Sequence, residues 1–209
     1  MKIAVVCANG NAGKLIVKEA LDRNICVTAV VRGENKSEAK SVINKDLFDL
    51  TASDLSGFDA VIDAFGVWAE DKLIQHSTSL KHLCDLLSGS ETILIVVGGD
   101  RSLYVNKEHD VQVMNGAEFT DMIKPLASNM SKALDELRQR NDVKWTYISP
   151  ALDFKPQGEK SLKYVLGGEE LTFNLKGQST ISYATYAVAL VDEILNGNHI
   201  KKRICVVEA

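Results

Sequence analysis

The sequence predicts an α/β fold built on a doubly wound parallel sheet, with a small C-terminal lobe that contains a β-hairpin. Two observations carry this prediction. Short apolar runs of strand length alternate with helical patterns as far as Pro150, and two glycines, Gly10 and Gly13, separate the first apolar run from the first helical pattern. Because crossovers between parallel strands are right-handed, the doubly wound arrangement is the main topology that this alternation allows.

The predicted strands are compact apolar runs, as expected for strands that are buried on both faces of a sheet. Six precede the C-terminal third and one closes the chain: Ile3–Cys7, Cys26–Val31, Val42–Leu47, Ala60–Gly66, Ile93–Val97, Lys144–Ser149 and Arg203–Val207. Apolar residues at helical spacing predict helices over 15–21, over 73–87, around Leu134 and Leu137, and over 187–194. Ser182 is placed to cap the last helix, and Gly197 to end it.

The alternation stops after Pro150. Leu162–Leu166, then Gly167 and Gly168, then Glu169–Asn174 predict a β-hairpin on a two-glycine turn. Neither a repeat nor a linker divides the chain, so a single domain over 1–209 is predicted.

The composition excludes several classes of function. The chain has 209 residues and a net charge of −4 without a run of Lys and Arg, so we expect neither a nucleic-acid nor a membrane partner. Its four cysteines are scattered, which is typical of free thiols in a reducing compartment, and its four histidines lack metal-ligand spacing, so no metal site is predicted. The first apolar run follows Met1 and Lys2 directly, unlike a signal peptide, and we expect a cytoplasmic protein.

The segment Cys7–Gly13 carries the first sign of chemistry. A glycine turn between a buried strand and a helix lets the backbone approach a pyrophosphate, and the free N–H groups and dipole of the helix N-terminus attract its charge. We therefore predict a dinucleotide site of the Rossmann type. The alternative is a plain turn whose glycines serve packing alone.

The end of the second predicted strand indicates which dinucleotide is bound. NAD-selective sites usually carry an acidic residue there, whereas this chain has Arg32, with Lys36 close behind. Cations suit a 2′-phosphate, so NADP(H) is predicted in preference to NAD(H). The alternative is that Arg32 is a solvated charge at a strand end.

The motifs resemble a known family. Ala8–Gly13, Val30–Arg32, Asp59–Gly66, Val96–Gly99, Trp145–Ala151, Tyr164–Gly168 and Ile181–Ser182 are similar to the atypical short-chain dehydrogenase/reductase family with an NAD(P)H-binding domain. The resemblance is to the bacterial NADH-flavin reductase-like proteins and, more remotely, to biliverdin reductase B and the NmrA-like regulators. It extends nearly from end to end of the chain.

The resemblance implies roles for individual residues. Asn9, Gly10, Asn11, Ala12 and Gly13 would hold the pyrophosphate, with Arg32 and Lys36 at the 2′-phosphate, Asp46 and Leu47 beside the adenine, Ala64, Phe65 and Gly66 beside the ribose, and Gly98, Ser102 and Pro150 near the nicotinamide. Residues 151–180 would form a lobe over the substrate. One departure is that Cys7 replaces the first glycine of the family's turn, where a side chain is expected to crowd the backbone.

A missing motif narrows the reaction. None of the five tyrosines has a lysine four residues on, so the tyrosine–lysine pair that protonates an alkoxide is absent. We therefore expect hydride transfer to a flat acceptor such as a flavin or quinone, with Ser102 and Tyr104 as polar helpers. The alternative is a non-catalytic NADP(H)-sensing regulator of the NmrA-like type. The sequence leaves open a monomer or a homodimer, and an epimerase is the least favoured function.

Overall fold

The computed structural model describes residues 1–116 and 123–209. The strands are β1 (Lys2–Val6), β2 (Cys26–Val31), β3 (Ser41–Asn44), β4 (Ala60–Asp63), β5 (Ile93–Val97), β6 (Lys144–Pro150), β7 (Asp153–Lys155), β8 (Tyr164–Gly167), β9 (Thr180–Ser182) and β10 (Lys202–Glu208). The helices are α1 (Asn11–Asp22), α2 (Gln75–Leu86), α3 (Lys124–Arg138) and α4 (Tyr183–Asn196). Among the described residues, no helix is long and apolar enough to cross a bilayer.

The main sheet is doubly wound, as predicted. Its strand order is β3-β2-β1-β4-β5-β6-β10-β8, so the chain winds outward from β1 in both directions, and every neighbouring pair is parallel except β10 with β8. Val5 pairs with Ala29 on one side and with Ile62 on the other. The change of direction beside β1 creates the crevice in which open α/β sheets bind their ligands.

Two hydrophobic cores lie on opposite faces of the sheet. Helices α1 and α4 pack together on one face, and α2 and α3 pack together on the other. Strand β1, buried at every residue after Lys2, contributes to both cores, with Ile3 and Val5 on the α1 side and Ala4 and Val6 on the α2 side. This two-sided burial explains why its sequence is a continuous apolar run without polar alternation.

The predicted boundaries of α4 are confirmed. The Ser182 hydroxyl accepts a hydrogen bond of 3.0 Å from the Thr185 N–H, which satisfies one of the free donors at the helix start. Gly197 ends the helix in the left-handed region with φ 61°, where glycine has no Cβ to clash.

Two predicted strands are shorter than expected, for a local reason. The third ends at Asn44 and not at Leu47, because the Asp46 carboxylate accepts a 3.0 Å hydrogen bond from the Phe48 N–H and starts a short 3₁₀ helix. The fourth ends at Asp63 and not at Gly66, because the Asp63 carboxylate accepts a 3.0 Å bond from the N–H of residue 65. In both places a side-chain acceptor replaces the ladder bond of a strand.

The predicted β-hairpin is wrong. Residues 164–167 do form β8, but this strand pairs antiparallel with β10, and residues 169–174 form no strand. The Glu169 carbonyl accepts a 2.9 Å bond from the Tyr104 N–H, and the Leu171 N–H donates a 2.8 Å bond to the Tyr104 carbonyl. These distant partners, which local turn chemistry cannot indicate, draw the second half of the expected hairpin away from the first.

Candidate functional site

The predicted site residues lie along one edge of the sheet. Those residues follow the carboxyl ends of β1, β2, β3, β4 and β5, and Pro150 is the last residue of β6. Because parallel strands end at the same edge, the fold brings together segments that are up to about 140 residues apart in the chain. We call this the carboxyl edge.

The turn after β1 leaves the start of α1 open. Gly10 is the residue before α1, with extended backbone and no side-chain cap on the helix, and the first turn carries no acidic residue. The Gly10 N–H donates a 2.9 Å bond to the Cys7 carbonyl, which closes the turn. An uncapped helix N-terminus presents unpaired N–H groups and partial positive charge, the arrangement that binds a phosphate.

Gly13 allows α1 to approach β1 closely. A Cβ built at this residue would lie 2.6 Å from the Cys7 carbonyl oxygen and 3.0 Å from the Ala8 Cα, both of which are backbone atoms. A Cβ at Gly10 would lie 3.2 Å from the same oxygen. The first contact is closer than real Cβ atoms come, so any side chain at residue 13 would push the helix start away from the strand.

Cys7 occupies the left-handed region, with φ 59°. A glycine would adopt this conformation without strain, whereas any L side chain there carries a cost. The thiol packs beside the core of the α2 face, away from α1, so the expected crowding appears as backbone strain and not as a blocked turn. Burial, together with the charge of Asp63, raises the pKa of Cys7 to about 12, so the thiol is not a nucleophile at neutral pH.

Arg32 is positioned beside a preformed loop. Its side chain is 80% exposed, and its guanidinium lies 3.5 Å from the Asp46 carboxylate. The Asn9 side chain holds the loop: its amide donates a 2.9 Å bond to the Glu34 carbonyl, and its oxygen accepts a 2.7 Å bond from the Lys36 N–H. The ion pair between Arg32 and Asp46 is long and exposed, so it contributes little stability and leaves the guanidinium free to turn.

The segment after β4 combines a buried acid with an exposed aromatic ring. Asp63 is 4% exposed, and burial raises its pKa to about 6, against the lowering effect of the bond from the Phe65 N–H. The Phe65 ring meets His76 edge-on, with centroids 5.6 Å apart. Trp68 is 74% exposed, and a Cβ built on Gly66 would lie 3.1 Å from the nearest atom of its ring. Glycine at residue 66 therefore allows the edge of the indole to lie close to the backbone of the carboxyl edge.

The loop after β5 is fixed from beneath by Tyr147 and Arg203. A Cβ on Gly98 would lie 2.1 Å from the Tyr147 ring, and the Gly99 N–H donates a 2.9 Å bond to the Tyr147 hydroxyl. The buried Arg203 guanidinium donates bonds of 2.8 Å to the Ser102 carbonyl and 3.1 Å to the Gly99 carbonyl. It also donates a 2.8 Å bond to the hydroxyl of residue 149, which donates in turn to the Gly99 carbonyl at 2.7 Å.

The two predicted polar helpers lie in different environments. Ser102 is 4% exposed, and its carbonyl is engaged by Arg203. Tyr104 is half-buried and stacks on the His109 ring with centroids 4.6 Å apart, and the imidazole contacts the Glu170 carboxylate at 2.8 Å. Their roles stay predictions. Asp63, Trp68 and Arg203 were not predicted as residues of the site. A tryptophan that follows a buried strand closely is the sequence signal that could have indicated it.

Comparisons with known proteins agree on the cofactor-binding fold. A family described as NAD(P)H-binding matches residues 7–195. The Bacillus subtilis protein YwnB, which is uncharacterized, is 38% identical over 209 residues, which is 99% of this chain and 98% of the relative. A Streptococcus pneumoniae protein described as "a putative NADH-flavin reductase" has a structure that is 51% identical, with a TM-score of 0.98 and coverage of 100% of both chains. A Bacteroides thetaiotaomicron protein described as a "putative epimerase" is 27% identical, with a TM-score of 0.86 over 99% of this chain and 96% of that one.

Proposed function

The chain belongs to the NAD(P)H-binding family, and from this premise we propose that it is an NADP(H)-dependent reductase that transfers hydride to a flat acceptor such as a flavin or quinone. The observation that carries the proposal is the carboxyl edge itself. An uncapped α1 N-terminus, a glycine that permits close backbone approach and an exposed arginine after β2 occur together there.

The residues that would bind the cofactor all belong to the carboxyl edge. The N–H groups of Asn11, Ala12 and Gly13, in the uncapped first turn of α1, would hold the pyrophosphate. Arg32 and Lys36 would hold the 2′-phosphate, for which the planar fork of a guanidinium is well suited. Asn9 acts by holding the Lys36 loop. We propose that Asp46 and Leu47 border the adenine, that Ala64, Phe65 and Gly66 border the ribose, and that Gly98 and Pro150 lie beside the nicotinamide. NADPH supplies the hydride.

The hydrogen bonds of the tyrosines support a reaction in which no tyrosine has to protonate an alkoxide. The Tyr147 hydroxyl accepts a bond from the Gly99 N–H, the Tyr186 hydroxyl donates 2.7 Å to the Ile148 carbonyl, and the Tyr164 hydroxyl donates 2.7 Å to a carboxylate. Burial raises the pKa of both Tyr147 and Tyr186, so neither is set up to give a proton. An electron-poor acceptor makes the weaker demand that it be oriented against the cofactor.

Trp68 is the side chain best suited to orient such an acceptor. Its indole is 74% exposed at the carboxyl edge, and a flat π-system stacks on an exposed indole face. The Streptococcus pneumoniae relative, described as "a putative NADH-flavin reductase", supports the same substrate class. We propose that residues 151–180 form the lobe over the acceptor.

The test is NADPH oxidation with a panel of free flavins, quinones and aliphatic carbonyls. We expect turnover with a flavin or quinone and none with the carbonyls. In the Trp68→Ala variant KM for the acceptor should rise about tenfold, the loss of one stacking contact, while the Kd for NADPH stays unchanged. Leu195→Ala, on an exposed residue near the end of α4 at the opposite edge, is the control. NADPH oxidation at background level with every acceptor would refute the reductase.

One observation favours a second function, a non-catalytic NADP(H)-sensing regulator. Ser102 is buried, at 4% exposure, so the predicted helper offers a substrate little access to its hydroxyl. A regulator would bind NADPH without turnover and would bind a partner with different affinity in the NADP⁺ and NADPH states. Equal partner affinity in the two states would exclude it.

A further inference from the structure

A cavity of about 340 Å³ lies away from the carboxyl edge. It is lined by Arg138 at the end of α3, by Trp145 near the start of β6, and by Lys201, Lys202 and Arg203 at the start of β10. Strands β6 and β10 are parallel and both begin at the edge of the sheet opposite to the carboxyl edge. The cavity is therefore separate from the predicted dinucleotide site. We call it the basic pocket.

The basic pocket carries an excess of positive charge. Four cationic side chains line it against one carboxylate, that of Glu169, in a chain whose net charge is −4. Arg138 contacts Glu169 at 2.6 Å, and Arg203 lies 3.6 Å from it, so this carboxylate is shared between two guanidinium groups. Arg138 also pairs with the exposed Asp135 at 2.9 Å, which leaves the two lysines and Arg203 as the larger part of the excess. A concentration of like charge in an otherwise acidic protein is unfavourable unless an anion compensates it.

The lining also contains a buried donor that no described residue pairs, beside a guanidinium whose three nitrogens are all bonded. Arg203 has a side chain that is 1% exposed, and its guanidinium, with five N–H groups, makes three hydrogen bonds to described residues. The buried indole N–H of Trp145 has no hydrogen-bond partner among residues 1–116 and 123–209. Buried donors normally find an acceptor, so the unpaired N–H of Trp145, a lining residue, supports the presence of an acceptor in this pocket.

The pocket walls are held in place. Lys201 occupies the left-handed region with φ 57°, its N–H donates a 2.6 Å bond to the Trp145 carbonyl, and its ammonium donates a 2.9 Å bond to the Asn141 carbonyl. Such contacts fix the turn that presents Lys201 and Lys202 beside the cavity. A volume near 340 Å³ is at the small end of ligand sites, which sets the size of the occupant.

We propose that the basic pocket binds a small metabolite that carries two or more carboxylate or phosphate groups. Guanidinium groups pair with both kinds of oxyanion through two parallel hydrogen bonds, and the two lysines add point charges at the rim. Carboxylates and phosphates share this chemistry, and the choice between them is left to the experiment.

Anion binding in the basic pocket would also affect the carboxyl edge, because Arg203 contacts both. The same guanidinium that lines the pocket donates to the carbonyls of Gly99 and Ser102, and the Glu169 carbonyl accepts from the Tyr104 N–H. An anion that draws on Arg203 therefore alters the support of the loop beside the nicotinamide. This coupling rests on the proposed function, whereas anion binding itself does not.

The test uses Trp145 fluorescence. The chain has two tryptophans, so Trp68→Phe leaves Trp145 as the single reporter, in a lining residue of the pocket. This protein is titrated with citrate, with pyrophosphate, and with sodium chloride at matched ionic strength. We expect saturable fluorescence changes with citrate or pyrophosphate and none with chloride, and the tighter of the two identifies the ligand as a carboxylate or a phosphate.

Variants locate the binding. Lys201→Gln with Lys202→Gln should weaken it about tenfold, because two rim charges are removed. Lys40→Gln with Lys176→Gln removes the same charge from exposed positions elsewhere and should leave it unchanged. Arg32→Ala should also leave it unchanged, since the anion is not at the cofactor edge. Equal binding in both lysine pairs, loss of binding in Arg32→Ala, or no saturable change at all would overturn the proposal.

The coupling has its own readout. The Kd for NADPH is measured with and without the bound anion, and by linkage the anion's affinity must change by the same factor when NADPH is bound. We expect a change that disappears in the Lys201→Gln, Lys202→Gln protein. An unchanged Kd for NADPH alongside saturable anion binding would remove the coupling and keep the site, and failure to bind NADPH at all would instead refute the proposed function.

Discussion

Substitution of Gly13 by alanine tests the geometry of the dinucleotide turn. The new Cβ would lie 2.6 Å from the Cys7 carbonyl oxygen and 3.0 Å from the Ala8 Cα, and neither backbone atom can turn aside as a side chain does. The helix start must therefore move by several tenths of an ångström. Overpacking of this kind costs about 1–3 kcal/mol, and the gain in helix propensity from Gly to Ala offsets about 1 kcal/mol of it.

The displaced helix also carries the N–H groups that are proposed to hold the pyrophosphate. Hydrogen bonds to a charged group contribute about 1.5–3 kcal/mol each, so the loss of one weakens NADPH binding by about tenfold or more. Urea unfolding measures the first effect and calorimetric titration with NADPH the second.

Gly33→Ala is the matched control, because a Cβ there meets nothing within 4 Å and the residue has no positive φ. It should be neutral or slightly stabilising, through a restricted unfolded chain. If Gly13→Ala behaved like Gly33→Ala in both assays, the close approach of α1 to β1 would have no part in cofactor binding.

Three further predictions follow from the strained, buried and clamped residues. Cys7→Gly should fold and bind NADPH at least as well as the wild type. In Cys7→Val the free energy of unfolding in urea should fall by about 1–2 kcal/mol, because φ 59° disfavours a β-branched residue. Equal stability of the two variants would contradict this. Burial raises the pKa of Asp63 to about 6 in the folded protein, so its protonated form stabilises the fold at pH 4 and this stability is lost as the pH rises toward 6. Asp63→Asn should therefore flatten the fall in unfolding free energy between pH 4 and pH 6 by about 2–3 kcal/mol, and an unaltered pH profile would place the titration elsewhere. Arg203→Lys should lower the unfolding free energy by about 2–3 kcal/mol in denaturant titration, since a single lysine nitrogen replaces three guanidinium nitrogens that each bond a different acceptor. A change within about 0.5 kcal/mol would refute the clamp.

Periodicity predicted most of the sheet because its strands are buried on both faces. The bounds of β2 and β5 agree with the apolar runs that indicated them, and the strand order is the one that short right-handed crossovers allow. Strand ends were less predictable where a side chain competes with the ladder, as at Asp46 and Asp63. These hydrogen bonds depend on the side-chain rotamers of the two aspartates, which cannot be read from the sequence.

Long-range contacts account for the larger surprises. The expected hairpin was wrong because residues 169–171 bond to Tyr104, and Arg203 was read only as the start of a strand although its partner Ser102 lies 101 residues earlier. The glycine turn was predictable because its chemistry is contained in seven consecutive residues. Local sequence could not indicate that Tyr147 on β6 and Arg203 on β10 both hold the loop after β5 by hydrogen bonds.

The central claim is that the carboxyl edge binds NADP(H) through α1 and Arg32, and calorimetric titration tests it most directly. Wild-type protein and Arg32→Ala are titrated with NADPH, NADH, NADP⁺ and NAD⁺. We expect tighter binding of NADPH than of NADH by about tenfold or more, with this preference abolished in Arg32→Ala while NADH affinity is unchanged. Absence of binding to all four nucleotides, or an NADPH preference that survives in Arg32→Ala, would contradict it.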